Sequence, residues 1–96
     1  MKARFLSTAA AELAEAVHYY TLVRPELGVK FLEQVEAAVR LIETHPEAWL
    51  PVSPRTRRCR VRHFPFGLLY QLRANEILVI SVMDLRRDPK RWEHLL

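Results

Sequence analysis

The 96-residue sequence predicts one α+β domain, with an N-terminal helical hairpin packed on a small, mostly antiparallel sheet. The expected order is β-α-α-β-β-β plus a short C-terminal helix. Three observations carry this expectation. From Ala9 to about Thr44, apolar residues recur at helical spacing, with one break at Pro25. Beyond Arg57 the pattern changes to alternation or to unbroken apolar runs, as strands on a half-buried or buried sheet require. Hydrophobic residues make up 50% of the chain, enough for a core, and the length suits a single domain over residues 1–96.

Residues 3–7 (Ala-Arg-Phe-Leu-Ser) read as a short first strand. Thr8 follows as an N-cap, its hydroxyl able to accept from the free amides of a first helical turn. The run Ala9-Ala10-Ala11-Glu12-Leu13-Ala14-Glu15-Ala16 is rich in strong helix formers, and Leu13, Val17 and Tyr20 give a buried stripe. This helix is expected to stop near Leu22–Arg24, because Pro25 disfavours α conformation in the residue before it. Pro25 itself suits the first turn of a second helix. Phe31, Leu32, Val35, Ala38, Val39 and Ile42 form that helix's apolar face, and Pro46 ends it.

A loop is expected from Glu47 to Pro54, where Trp49 and Leu50 plug an edge of the core. Arg57–His63 alternates as a half-exposed strand does, with Cys59 and Val61 on one face and Arg58, Arg60 and Arg62 on the other. Pro65 breaks it and Gly67 permits a turn. Leu68–Arg73 is the next strand, followed by a tight turn at Ala74-Asn75. Ile77–Met83 is apolar on both faces and should be a central strand covered on both sides or nearly so. A helix from about Asp88 to Leu95, with Pro89 at its start and Trp92 on its inner side, closes the chain.

Composition narrows the function classes. Cys59 is the single cysteine, so a disulfide framework is excluded and a reducing cytosol fits best. The start of the chain lacks the apolar stretch of about 7–15 residues that a signal peptide needs. No apolar run approaches the roughly 18 residues of a membrane span. A cytoplasmic protein without membrane contact is expected. The net charge of +4 is unevenly placed. Ala9–Glu47 holds seven acids and three bases, whereas Ala48–Leu96 holds ten bases and four acids. The second half therefore suits an anionic partner, either nucleic acid or an acidic polypeptide. A domain of this size buries only somewhat over half of its unfolded surface, so a covering partner would add stability.

Some chemistries have no residues to support them. His18, His45, His63 and His94 have no metal-ligand spacing and a lone cysteine does not help, so no metal is expected. There is no Gly-rich phosphate loop and no nucleophile elbow, hence no cofactor. Arg58, Arg60 and Arg62 admit two readings: a charged edge strand that blocks aggregation, or a row that pairs with carboxylates or phosphates. Arg86, Arg87, Lys90 and Arg91 likewise admit two readings: Arg86 or Arg87 pairs with Asp84 or Asp88 to fix the C-terminal turn, or the four form a target-binding surface. Of Tyr19 and Tyr20, one belongs to the core and one is partly exposed. Cys59 should be buried and inert.

Three segments resemble the ParE branch of the RelE/ParE toxin superfamily: Arg60-Val61-Arg62-His63-Phe64-Pro65-Phe66-Gly67-Leu68-Leu69-Tyr70, Ile77–Val82, and Arg86-Arg87-Asp88-Pro89-Lys90-Arg91-Trp92. The Tyr19-Tyr20 pair, the joint Pro25–Gly28, Phe31 and Pro46 fit as well, so the resemblance spans essentially the whole chain. It implies the toxin of a type II toxin–antitoxin pair, held in a hetero-oligomer with a cognate antitoxin. ParE-like toxins inhibit DNA gyrase, whereas RelE-like ones are ribonucleases acting on mRNA in the ribosome. With such partners, the basic rows are the expected contacts: Arg86, Arg87, Lys90, Arg91 and Trp92 for the target, and Arg58, Arg60, Arg62 and the adjoining Tyr70 for the antitoxin.

A nuclease needs a base, an acid and cations for the phosphorane charge. Here the last strand ends in Met83-Asp84 rather than a His, so a protein inhibitor of gyrase is expected rather than an enzyme. For the alternative, an mRNA endoribonuclease, the candidates are Arg60, Arg62, His63, Arg87 and His94. A basic nucleic-acid-binding module is a second alternative, which the acidic helical half disfavours.

Overall fold

A computed structural model describes residues 1–87. Its elements are β1 (Lys2–Phe5), α1 (Ser7–Val23), α2 (Pro25–Thr44), β2 (Arg57–Arg60), β3 (Phe66–Arg73) and β4 (Glu76–Asp84). The sheet order is β1-β4-β3-β2. β1 runs parallel to β4, and the β3/β4 and β2/β3 pairs are antiparallel. This is the expected α+β architecture, two helices on a four-stranded sheet. The helix expected over Asp88–Leu95 lies outside the described residues.

The entry into α1 differs from the expected cap. Leu6, not Thr8, is the N-cap, in extended conformation and without a side-chain cap bond. Its amide donates to Val79 O at 3.0 Å and its carbonyl accepts from Ala10 N at 2.9 Å. Pairing with β4 therefore holds Leu6 as the last strand-like residue, and Ser7 and Thr8 are drawn into the first helical turn.

The helices meet across a one-residue joint, Arg24. Gly28 sits where they approach most closely: a Cβ there would lie 2.0 Å from Thr21 Oγ1, which itself donates to Val17 O at 2.7 Å. α1 buries Ala9, Ala16 and Tyr20, with Leu13 and Val17 packed beside them. α2 buries Phe31, Val35, Ala38 and Ile42. Leu32, expected on that face, is 38% exposed, because a step of about 100° around the axis carries it past the margin of the stripe. Tyr20, Phe31, Phe64 and Phe66 form an aromatic cluster with ring centroids 4.9–6.1 Å apart.

The strands depart from expectation at their ends. β2 stops at Arg60 rather than His63. The corner after it is turned by His63, whose φ is 71°, and closed by Val61 N donating to Phe66 O at 2.8 Å. Gly67 makes no turn. It lies within β3, and the bare backbone lets the aliphatic stem of Arg58 and the side chain of Leu85 lie within 3.2–3.3 Å of where a Cβ would stand. The tight turn at Ala74-Asn75 is present, with Ala74 at φ 47°. β4 is central and buried at all but Glu76, Ile80 and Asp84, which are partly exposed.

Trp49 packs on the core edge, but Leu50 is 85% exposed. The loop carrying both is held from below: Arg57 Nη1 donates to Glu47 O and Trp49 O, and Tyr70 Oη donates to Pro46 O at 2.7 Å. Tyr70 is wholly buried, which removes it from the surface set expected to touch a partner. Its register pairs it with Arg57, so strand alternation places it on the core face, opposite Arg58 and Arg60.

Candidate functional site

β1 is too short to cover β4. It pairs only with Glu76–Val79, leaving the outer edge of Ile80–Asp84 without a strand partner among the described residues. Alongside that edge runs α1, and between them lies a groove of about 560 Å³. Thr8, Glu12, Glu15 and Tyr19 line it from the helix, Ile80–Asp84 from the strand, and Arg86 and Arg87 from the turn beyond.

Glu12 substitutes for part of the missing strand. Its Oε1 accepts from Ser81 Oγ and from Val82 N, both at 2.9 Å. The sequence shows Glu12 only as one charge among several on a helix. A carboxylate that ties the helix to the edge of β4 becomes visible only when the two are packed together.

At the groove's end Asp84 is clamped by Arg86. Its Oδ1 accepts from the Arg86 amide and from Nε, and its Oδ2 from Nη2, each at 3.0 Å. Arg87 Nε lies 4.0 Å away. The Arg86 side-chain hydrogen bonds hold the Asp84 carboxyl below its ordinary value, against the opposing effect of burial. Of the two sequence-level readings of Arg86, pairing with Asp84 is therefore realised. Its side chain is nonetheless 60% exposed. Tyr19, 55% exposed, stands on the groove's rim, while its neighbour Tyr20 belongs to the core and burial raises its phenol pKa.

Arg58, Arg60 and Arg62 are exposed on or just beyond β2, and none makes a salt bridge among the described residues. Their alternation with Cys59 and Val61 is as the sequence reads it. Cys59 is buried, with its thiol pushed up to about 11 by burial, which suppresses the reactive thiolate. His63 is exposed at the left-handed corner next to Arg62. Among the described residues no histidine lines the groove, and no three His, Cys, Asp or Glu side chains group as metal ligands. Lys90, Arg91, Trp92 and His94 lie outside the described residues. Among the described residues no helix is long and apolar enough to cross a membrane.

Comparisons with known proteins agree with this geometry. The family model of the ParE toxin of the type II toxin–antitoxin system parDE matches residues 3–89. A solved structure, a chromosomal ParDE TA system from P. aeruginosa, superposes with a TM-score of 0.76. It covers 88% of this chain and 96% of that one at 20% identity, a likeness of fold. No curated protein is found to match. The match over nearly the whole length shows that the chain belongs to the ParE toxin family of type II toxin–antitoxin systems.

Proposed function

We propose that this protein is a growth-inhibiting toxin that acts by protein contact on DNA gyrase, and that a cognate antitoxin neutralises it. The target surface comprises Arg86, Arg87, Lys90, Arg91 and Trp92. The antitoxin covers the groove between α1 and the edge of β4 and pairs acidic side chains with Arg58, Arg60 and Arg62. The observation that carries the choice against mRNA cleavage is the Asp84 clamp. A nuclease of this architecture needs a phosphate beside the end of the last strand. Here Met83 cannot transfer a proton and the Asp84 carboxylate is occupied by three hydrogen bonds from Arg86, so the strand's end offers a phosphate no free acid or base. The antitoxin reading is supported by the groove itself, whose strand edge has no strand partner among the described residues beyond the Glu12 carboxylate on Val82 N.

The decisive experiment gives antitoxin-free protein to gyrase supercoiling and DNA-cleavage assays and, in parallel, to ribosomes programmed with mRNA. Accumulated cleaved DNA with intact mRNA is the expected result. Cleaved mRNA with normal gyrase would overturn the proposal and turn attention to Arg60, Arg62, His63, Arg87 and His94 as a nuclease site.

A further inference from the structure

A second cavity lies at the far end of the sheet from the Asp84 clamp. β2 begins opposite Tyr70, so the edge of β3 at Gln71–Arg73 extends past it without a strand partner among the described residues. The Pro51–Thr56 turn stands off that edge and encloses an open cavity of about 490 Å³. Arg55, Arg57 and Arg73 all line it, and no acidic residue among the described residues does. None of the three makes a salt bridge among the described residues. Three guanidiniums around one cavity without a counter-charge repel one another, a cost that a bound anion removes.

The cavity's polar groups are built rather than loosely placed. Thr56 is fully buried and Gln71 is 8% exposed. Gln71 Nε2 donates to Thr56 Oγ1 at 3.1 Å, while Gln71 Oε1 accepts from Arg73 Nε and Nη2 at 3.1 and 2.7 Å. That chain fixes the Arg73 guanidinium and leaves its Nη1 for a ligand. Arg57 is fixed through Nη1 on the backbone of residues 47 and 49, which leaves Nε and Nη2. Thr56 Oγ accepts from Gln71, and its own proton has no acceptor among the described residues. In the same turn Ser53 Oγ is buried with no hydrogen-bond partner. Donors outnumber acceptors, and two of the three cations are held in place by bonds to neutral groups.

We propose that this cavity binds a phosphomonoester, with Arg55, Arg57 and Arg73 around its oxygens. A dianion with three terminal oxygens uses that donor set more fully than a carboxylate does. The volume exceeds that of phosphate alone and falls within the range of roughly 300–1,000 Å³ typical of small-ligand pockets. Pro51, Pro54 and Leu72 give the remainder an apolar wall. The phosphomonoester therefore belongs to a nucleotide-sized molecule or to the 5′ end of a nucleic acid strand. Both sources carry the same chemistry. The site is separate from the groove and does not depend on the gyrase proposal.

Calorimetric titration of the purified chain tests this with adenosine monophosphate, adenosine, inorganic phosphate, and a tetranucleotide with and without its 5′-phosphate. Adenosine monophosphate should bind at least tenfold more tightly than adenosine. Tighter binding of the 5′-phosphorylated tetranucleotide than of the mononucleotide identifies a strand end as the source, and the reverse identifies a free nucleotide. Arg55 makes no side-chain hydrogen bond among the described residues, so R55E should fold normally and lose at least tenfold in affinity, with R55K intermediate. Equal binding of adenosine and its monophosphate, or unchanged affinity in R55E, would overturn the proposal. So would displacement of the nucleotide by an equal concentration of an acidic peptide, which would make the cavity a carboxylate site.

Discussion

Along the outer edge of β4, Glu12, Asp84 and Arg86 each have a partner, whereas Arg58, Arg60 and Arg62 along β2 have no salt-bridge partner among the described residues. Both regions are edges of the same sheet and both carry charge. At β4 the charges serve the fold: a carboxylate replaces a missing strand and a guanidinium locks the exit from the strand. At β2 they are left to solvent or to another molecule. Counting charges along the chain does not separate these roles. What separates them is whether packing brings a counter-group within about 3 Å.

Four measurements would break or sharpen this contrast. The largest effect is expected from Glu12→Ala, which strips the acceptor from Ser81 Oγ and Val82 N at once. Leaving two partly buried donors unmet should cost about 2–3 kcal/mol, read as a lower urea midpoint with unchanged slope. A loss below about 0.5 kcal/mol would mean that Glu12 is ordinary surface charge.

Charge reversal of Arg58, Arg60 and Arg62 to Glu should act the other way. Antitoxin affinity should fall more than tenfold while thermal stability stays within a few degrees, because no salt bridge among the described residues is lost. Unchanged affinity in a binding titration would end the pairing proposal for β2.

Tyr70→Phe removes only the hydroxyl that donates to Pro46 O and should destabilise by about 1 kcal/mol. It should leave antitoxin binding untouched, since the ring has no exposed surface. A binding defect at equal stability would put Tyr70 back among the contact residues.

The smallest effect is expected at Asp84→Asn, under about 1 kcal/mol at neutral pH, because the partner arginine is largely exposed. The pH dependence is more informative. The folded Asp84 pKa lies below the ordinary 3.8, so its contribution is present above that pH and fades as the pH falls through the folded value. The stability gap between wild type and variant should therefore close on acidification below about pH 3.8. A gap that persists there would show that the clamp is not electrostatic.

Most of the fold was legible because its signals are local. Helical spacing around Phe31, Val35, Ala38 and Ile42 and the doubly apolar β4 each sit in one contiguous stretch. The alternation of arginines with Cys59 and Val61 was equally local. The misreadings share a different origin. Thr8 lost its cap because Leu6 pairs with Val79, and Gly67 was taken into a strand because Arg58 and Leu85 lie across it. Tyr70 lies on the strand that adjoins the arginine row, yet strand pairing turns its ring to the opposite face.

The sequence by itself determined the element order, the helical hairpin with its break at Pro25, the central place of β4, and the family. These follow from side-chain periodicity and backbone restriction within short windows. Only the tertiary structure decided that β1 covers half of β4, that Glu12 completes the exposed half, and that Asp84 is spent on Arg86. It also decided that Arg55, Arg57 and Arg73 surround one cavity. The reason is physical: hydrogen bonds and charge pairs act over a few ångströms. Groups as far apart in the chain as Glu12 and Val82 acquire their roles only after the hydrophobic core has brought their elements together.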